Sequence, residues 1–216
     1  MTPQLVIFDC DGILVDSERL SHIVLQQMLA ELGVELSLTA TLDYFMGTST
    51  QKCLHVLEEL LGRAAPANFL KTFDTRTFEA FRTGLLPVNG IHDVITSLPS
   101  PYCVASNGSK EKVRFTLKHT GLLPHFEGRL FSAEDVENPK PAPDLFLHAA
   151  RSMSIPADGC VVVEDSPTGV AAARAAGMKV FGYAAMTPSA RLQEAGADVI
   201  FHSMTELPSL LLQQER

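Results

Sequence analysis

Polar side chains that could carry out chemistry occur in four short clusters, which follow apolar segments or lie in the loops between them. Side chains two positions apart in an extended segment point to the same side, so the carboxyl groups of Asp9 and Asp11 begin on one side of the chain. Crowded carboxylates repel each other, and they persist where a cation lies between them or where one holds a proton. Either case indicates chemistry, but a pair of solvated turn aspartates would explain this cluster equally well if it stood alone. In chain order, the clusters are Asp9 with Asp11, Ser106 with Asn107, Lys140 alone, and Glu164 with Asp165.

Together the clusters contain the groups that phosphoryl transfer requires. Negatively charged oxygen ligands suit Mg²⁺, and a metal ion together with Lys140 would neutralise the charge of a phosphate. A carboxylate can also attack phosphorus to form an aspartyl-phosphate. Each cluster alone has an ordinary explanation: residues 106–108 form a common turn sequence, Lys140 could be a solvated loop residue, and residues 164–166 could simply cap a helix. The whole set predicts an acidic pocket with one lysine and one hydroxyl group.

The segments that must position these groups alternate between strand and helix patterns. Residues 6–8 are continuously apolar, as is typical of a strand buried on both faces, and Gly12 allows a tight turn after it. After residue 84, strand patterns alternate with helix patterns, which predicts an α/β fold with a doubly wound, Rossmann-like parallel sheet. Sites in such sheets form beyond the carboxyl ends of the strands. The later strands are predicted at residues 102–105, 129–132, 160–163, 180–181 and 199–200.

The segment between the first strand and the rest of the sheet is predicted to be entirely helical. Apolar residues recur at helical spacing from Leu20 to Leu32, from Leu54 to Leu61, and through an aromatic series from Phe69 to Phe81. We interpret the aromatic series as packing within a small helical bundle. The predicted domains are therefore a catalytic core at 1–16 and 84–216, and an inserted all-helical domain at 17–83.

Composition excludes several classes of function. The chain has 216 residues, of which 46% are hydrophobic, so it can bury a substantial core. Acidic residues outnumber basic ones by 25 to 17 and no basic run occurs, which argues against binding to nucleic acid or to an anionic membrane surface. We expect no membrane span and no signal peptide. Scattered cysteines without a CxxC pair, and histidines without metal-ligand spacing, favour a cytoplasmic protein without a zinc site.

The four clusters, in this order, resemble the motifs of the haloacid dehalogenase-like (HAD) superfamily of phosphohydrolases. Residues 9–17 resemble its D-x-D-G-x-x-x-D-S motif, and Ser106 resembles its hydroxyl motif. Lys140, within Lys-Pro-x-Pro, is similar to its lysine motif, and residues 164–169 are similar to its acidic motif. The resemblance covers the whole chain, and it implies that the helical insertion is a cap domain.

The resemblance also implies roles for individual residues. Asp9 would be the nucleophile, and Asp11 would protonate the leaving oxygen and then take a proton from the attacking water. Mg²⁺ would be bound by Asp9, by the backbone carbonyl of Asp11 and by Asp165, with Glu164 beside them. Lys140 would be the third catalytic group, because it stabilises charge during the transfer.

Phosphate and substrate contacts follow from the same resemblance. Ser106, the backbone of Asn107 and Lys140 would bind the phosphate. The loop Gly47, Thr48 and Ser49 in the cap, with Lys52 just after it, would contact the rest of the substrate. Arg19 and Arg76 are further cap cations that could meet a substrate carboxylate, but Lys52 follows the loop directly.

Within the superfamily, the chain resembles the branch that holds beta-phosphoglucomutase and small sugar-phosphate phosphatases. Mutases of this branch carry a His five residues after the last Asp of the first motif, where this chain has Ser21, and His22 is displaced by one. They also carry an Arg after a G-x-S cap loop, where this chain has Thr50. A mutase must bind the second phosphate of a bisphosphate, so the missing Arg favours a phosphatase. The Ser-Asn-Gly motif and the strand at 130–132 are similar to the 6-phosphogluconate phosphatase type.

We therefore predict a cytoplasmic, Mg²⁺-dependent phosphatase that hydrolyses a small phosphate monoester, such as 6-phosphogluconate, through an aspartyl-phosphate. Its partner would be a small phosphorylated metabolite, with no nucleic acid and no membrane, and the protein would be a monomer or a weak dimer. One alternative is a beta-phosphoglucomutase-type mutase. The other is a non-catalytic, phosphate-responsive signalling protein, although such domains are shorter and lack the helical insertion. A haloalkanoic acid dehalogenase is disfavoured because those enzymes lack the equivalent of Asp11.

Overall fold

The structure is a computed structural model that describes residues 2–46 and 50–213. The chain divides into two compact units. The core unit comprises the residues up to Asp16 and those from Leu86 onward, and the helical unit comprises Ser17–Leu85. The boundary on the carboxyl side falls two residues after the border at 83 and 84 that the sequence suggested. Each unit has its own cluster of buried apolar side chains.

The core unit is built on one six-stranded parallel sheet with the strand order β3-β2-β1-β4-β5-β6. This order confirms the predicted doubly wound, Rossmann-like α/β fold. Successive strands are added toward one edge of the sheet from β1 to β3 and toward the other edge from β4 to β6. Such a change in strand order opens a crevice at the carboxyl ends of β1 and β4. The strands are β1 (Leu5–Phe8), β2 (Tyr102–Ser106), β3 (Leu130–Ser132), β4 (Cys160–Glu164), β5 (Lys179–Tyr183) and β6 (Val199–Phe201).

The central strand β1 explains why the first apolar run is so continuous. All four of its side chains are completely buried, because neighbouring strands pair with both of its edges and helices cover the sheet. Phe8 is in register with Val163 of β4, and the backbone N–H of Asp9 donates to the Val163 carbonyl at 3.0 Å. The pairing therefore carries Asp9 to the end of β4, where the acidic motif begins.

Helices follow most of the strands of the core unit, and four of them coincide with the helix patterns that alternate with the strand patterns in the sequence. Three more were not predicted, because they have only four to six residues and so show little periodicity. The predicted helices are α5 (Ile91–Ser97), α6 (Lys110–His119), α8 (Asp144–Ser152) and α9 (Pro167–Ala175). The others are α7 (Leu123–Phe126), α10 (Ser189–Glu194) and α11 (Leu207–Leu212).

The helical unit contains α1 (Ser17–Glu31), α2 (Leu38–Phe45), α3 (Thr50–Leu61) and α4 (Phe69–Gly84). Within it, α1 packs against both α2 and α4. None of the three helical series identified in the sequence covers the region of α2. Threonines lower its intrinsic helix propensity, but the Ser37 side chain caps it by accepting from the backbone N–H of Ala40.

The aromatic series of α4 packs inside this unit, as the sequence indicated. Phe69 and Phe81 are buried, and Phe73 packs against the same apolar cluster. The ring of Phe78 lies under the guanidinium group of Arg82, at 5.3 Å. Among the residues that the structure describes, no helix combines the length and the apolar character needed to cross a bilayer.

The core of the helical unit gives a stability prediction. Leu29 of α1 is completely buried in it, so Leu29→Ala should lower the free energy of unfolding by about 2–5 kcal/mol through lost burial and a cavity. Leu212→Ala is the control, because that side chain is 55% exposed and should change stability by less than about 0.5 kcal/mol. Denaturant titration measures both values, and equal losses would contradict the packing described here.

Candidate active site

Three adjacent strands end in the polar residues that the sequence singled out. Asp9 directly follows β1, while Ser106 and Glu164 are the last residues of β2 and β4. Since β1 lies between β2 and β4, these ends form one edge of the sheet. Lys140 reaches the same place from the loop between β3 and α8, because its Nζ donates to Asp9 and to Glu164. The structure thus brings members of all four clusters together.

The Lys140 ammonium group is buried in the middle of this site. It donates to Asp9 Oδ1 at 2.6 Å, to Glu164 Oε1 at 2.7 Å and to the Ala105 carbonyl at 2.9 Å. Its fourth neighbour is the ring of Phe146, whose centre lies 4.5 Å away. An ammonium group has three N–H donors, so this arrangement satisfies all of them and links two carboxylates through one cation.

The side chain of Asn107 holds the backbone of Lys140 through a reciprocal pair of hydrogen bonds. Asn107 Nδ2 donates to the Lys140 carbonyl at 2.9 Å, and the Lys140 N–H donates to Asn107 Oδ1 at 3.0 Å. The sequence resemblance implied a role in phosphate binding only for the backbone of Asn107. This contact could not be foreseen, because it joins residues 33 positions apart. The neighbouring Ser106 is buried, and its Oγ accepts from the Gly108 N–H at 3.1 Å.

Two glycines make room for the acidic motif. A Cβ atom on Gly12, whose φ is +75°, would lie 2.0 Å from Asp165 Oδ2, and one on Gly169 would lie 1.8 Å from Glu164 Oε1. Neither position therefore tolerates a side chain without displacing a carboxylate. Asp165 can lie directly against the turn that follows Asp9 because that turn has no side chain at residue 12.

Asp9, Glu164 and Asp165 form a cluster that could hold a metal ion. Each offers a carboxylate oxygen, and these atoms all lie within 4.8 Å of one another. Hard oxygen ligands of this kind fit Mg²⁺. Both carboxylate oxygens of Glu164 have partners within the protein, since Oε1 accepts from Lys140 while Oε2 accepts from the Ser166 hydroxyl at 2.9 Å. The donor set therefore fits a divalent cation at this cluster.

Asp11 has a partner that the sequence analysis did not identify. Lys112, in the first turn of α6, donates from Nζ to Asp11 Oδ2 at 2.7 Å. The sequence alone does not distinguish Lys112 from a solvated lysine on the surface of a helix. Only the fold, which places the start of α6 beside the turn after β1, reveals the pair.

Burial and charge control ionisation in the site. Burial is the main cause that raises the pKa of Asp9, from 3.8 to about 7; the Lys140 ammonium opposes the rise, while the negative charges of Glu164 and Asp11 add to it. Burial acts to lower the pKa of Lys140, but attraction to Asp9 and Glu164 outweighs it, so that pKa is raised overall. The lysine stays charged, and the carboxylate cluster carries more negative charge than one lysine neutralises.

The residues predicted in the cap have a different outcome. Gly47, Thr48 and Ser49 lie outside the described residues. Lys52 is an exposed residue of α3, and its role in binding substrate stays a prediction. Arg76, which the sequence offered as another substrate-binding cation, donates to Glu31 at 2.6 Å within the helical unit.

The raised pKa of Asp9 predicts a pH-dependent stability difference in metal-free protein. The folded state holds this proton more tightly than the unfolded chain, so wild-type stability should fall as the pH rises from about 4 to about 7. Asp9→Asn cannot ionise, so its stability relative to wild type should increase over that range, by about 1–3 kcal/mol. Denaturant titrations in chelator at pH 5 and pH 8 measure this. Leu212→Ala, which changes no ionisable group, should show no such trend, and a flat or opposite difference for Asp9→Asn would contradict the assignment.

Comparison with known proteins identifies the family of this chain. Residues 6–183 match the family described as haloacid dehalogenase-like hydrolase. The 6-phosphogluconate phosphatase of Escherichia coli is 28% identical over 208 residues, which cover 96% of this chain and 94% of that protein. The fructose-1-phosphate phosphatase YqaB of Escherichia coli is 29% identical over 175 residues, which cover 80% and 92%. The crystal structure of a conserved haloacid dehalogenase-like protein of unknown function from Agrobacterium tumefaciens superposes with a TM-score of 0.91, at 33% identity over 97% of each chain. The chain is therefore a phosphatase that belongs to the haloacid dehalogenase-like hydrolase family.

Proposed function

We propose that this phosphatase is Mg²⁺-dependent and hydrolyses a small sugar phosphate through an aspartyl-phosphate on Asp9. The observation that carries the proposal is the buried cluster at the carboxyl ends of β1 and β4, where Asp9 and Asp165 lie together and Lys140 links Asp9 to Glu164. A protein gains no stability by concentrating carboxylates in this way, so the arrangement calls for a catalytic explanation.

In the proposed reaction, an oxygen of the Asp9 carboxylate attacks the phosphorus atom of the substrate. The N–H of Asp9 is held by the Val163 carbonyl, and Oδ1 is held by Lys140, so the nucleophile has a defined orientation before substrate binds. Such orientation reduces the entropy that must be lost in the transition state. Ionised Asp9 is the reactive form, and its raised pKa means that part of the metal-free protein is protonated near neutral pH.

Asp11 is the proposed acid and base. It would give a proton to the leaving oxygen as the ester P–O bond breaks, and would then take a proton from the water that attacks the aspartyl-phosphate. Hydrolysis of that intermediate breaks the bond between phosphorus and Asp9 and returns the free carboxylate.

The proposed cation would be held by Asp9, Asp165 and the backbone carbonyl of Asp11, with Glu164 acting through Lys140 and Ser166 rather than as a direct ligand. When bound, Mg²⁺ would neutralise charge on the phosphate and on the carboxylates. Lys140 adds a second positive charge beside Asp9. Since its three donors already bind protein acceptors, we propose that it acts on phosphate chiefly through its charge.

The Ser106 hydroxyl and the backbone N–H groups near Asn107 are the proposed phosphate ligands. These groups lie at the carboxyl end of β2, and β2 and β4 pair with opposite edges of β1. A phosphate on Asp9 would therefore lie between these groups and the acidic motif. The Asn107 side chain is committed to the Lys140 backbone, which agrees with a role for the Asn107 backbone only.

For the substrate, we propose a polyhydroxylated monoester such as 6-phosphogluconate, with Lys52 as a ligand of its carboxylate. Support comes from the relatives, which are named for 6-phosphogluconate and for fructose 1-phosphate, and from the absence of the mutase Arg in the sequence, where Thr50 stands. We further propose a cytoplasmic enzyme that acts on a small metabolite as a monomer or weak dimer, without nucleic acid or membrane partners.

The metal proposal predicts a specific response to chelation. EDTA should abolish phosphate release, and Mg²⁺ should restore it. Ca²⁺ should restore little, because its longer and more variable coordination disturbs the in-line geometry. Asp9→Asn is the matched control: it should release no phosphate even with saturating Mg²⁺, although it folds. Full turnover in EDTA, or near-wild-type turnover by the Asn variant, would refute this mechanism.

The substrate proposal predicts an order of preference. Measured as kcat/KM, 6-phosphogluconate should exceed glucose 6-phosphate, beta-glucose 1-phosphate and nucleoside monophosphates. Lys52→Ala should reduce kcat/KM selectively for 6-phosphogluconate, by about 10- to 100-fold for one charged hydrogen bond. Lys71→Ala, at an exposed lysine of α4, is the control and should have no such effect. If nucleotides lead the panel, or if Lys52→Ala weakens all substrates equally, the substrate assignment is wrong while the phosphatase assignment stands.

A further inference from the structure

The ion pair between Lys112 and Asp11 is not explained by the roles assigned so far. Lys112 Nζ lies 2.7 Å from Asp11 Oδ2, and the two side chains are 37% and 22% exposed. The pair joins the start of α6 to the turn after β1, across 101 positions of the chain. It is therefore a tertiary contact made by Asp11, two positions after the proposed nucleophile Asp9.

The position of Lys112 is unfavourable for the helix that carries it. It is the third residue of α6, and its own backbone N–H donates to the capping hydroxyl of Ser109 at 3.2 Å. The amino end of a helix carries partial positive charge, so a lysine there costs about 0.3–1 kcal/mol, whereas the preceding Glu111 is favourable. A residue that breaks a local rule in this way usually serves a site elsewhere.

The backbone before α6 leaves space for this side chain. A Cβ atom on Gly108 would lie 3.4 Å from Lys112 Cδ and 3.3 Å from Val113 Cγ2. The aliphatic part of Lys112 therefore lies close to residue 108, where a Cβ atom would be at about van der Waals distance from it. Lys110, two residues earlier on the same helix, pairs instead with Asp135. Lys110 and Lys112 thus present the same charge in the same helical turn to two different partners.

We propose that Lys112 is a positioning residue for the proton-transfer steps, an inference that rests on the proposed function of Asp11. In the first half-reaction the O–H bond of Asp11 breaks, and its proton goes to the leaving oxygen as the ester P–O bond breaks. In the second, an O–H bond of water breaks and its proton goes to Asp11, while oxygen bonds to phosphorus and the bond to Asp9 breaks. The leaving oxygen and the attacking water occupy the same in-line place, so the same carboxyl oxygen must face it both times.

Lys112 satisfies that requirement by binding Oδ2. A charge-assisted hydrogen bond is about twice as strong as a neutral one, so it opposes rotation of the carboxyl group and keeps the same carboxyl oxygen in place for both proton transfers. Removing the ammonium would remove this restraint on the carboxyl group. Chemistry would slow while the phosphate-binding groups on Ser106, Asn107 and Lys140 stayed in place.

The test compares Lys112→Ala with Lys110→Ala, which removes the same charge from the same helical turn. With Mg²⁺ and the best substrate of the panel, Lys112→Ala should lower kcat by about 10- to 100-fold. Its KM and the inhibition constant of inorganic phosphate should change by less than about twofold, and Lys112→Arg should recover part of the loss. Lys110→Ala should keep kcat within about twofold. If Lys112→Ala is poorly folded, Lys112→Met retains the aliphatic stem and takes its place.

A double-mutant cycle separates positioning from a general structural effect. In an Asp11→Asn background, assayed with p-nitrophenyl phosphate because its leaving group needs no proton, adding Lys112→Ala should change the residual rate by less than about twofold. The inference is overturned if Lys112→Ala lowers the rate as much in the Asp11→Asn background as in wild type. It is also overturned if Lys110→Ala lowers kcat as much as Lys112→Ala does, or if Lys112→Ala changes only KM. If the wild-type protein releases no phosphate from any substrate with Mg²⁺, the proposed function itself has failed, which is a distinct result.

Discussion

The buried ammonium group of Lys140 is the interaction on which the site depends. Removing a charge from water costs several kcal/mol, and a buried carboxylate pair without a cation would repel strongly. Lys140 reduces both penalties at once, because it hydrogen bonds to Asp9 and to Glu164 and is itself fully satisfied. Its position depends in turn on the Asn107 side chain, which holds its backbone, and on the Phe146 ring beside it. The four clusters are therefore mutually dependent parts of one network.

The pairing and order of the strands determine where the other site residues lie. A buried central strand with neighbours on both edges fixes where Asp9 emerges, and the reversal of strand order between β1 and β4 places the acidic motif beside it. The close approach of Asp165 then depends on the missing side chain at Gly12. Apolar burial sets the frame, whereas Gly12 and Gly169 allow the carboxylates of Asp165 and Glu164 to lie against the backbone.

The sequence predicted most of this arrangement because its main features are local. Continuous apolar runs mark buried strands, and the motif residues occur within a few positions of their ends. The features that escaped prediction depend on contacts between distant segments. Asn107 and Lys112 are ordinary cap and helix residues in one dimension, and only the fold shows which groups they bind. Helix α2 was missed for a related reason, since its stability comes from the Ser37 cap and from packing of Phe45 rather than from propensity.

The charge balance of the site also explains why such an enzyme would need both a lysine and a metal ion. One ammonium group cannot neutralise Asp9, Glu164 and Asp165 together. The pKa of Asp9 is raised mainly by burial, and the negative charges of Glu164 and Asp11 add to that rise. A second lysine would remove the deficit of positive charge, but it would also pair permanently with Asp9 and compete with the phosphate. A divalent cation adds the missing charge while keeping coordination positions for oxygen atoms of the substrate. The excess of carboxylates thus lowers the stability of the metal-free protein, and the same excess would attract a cation to the proposed metal site.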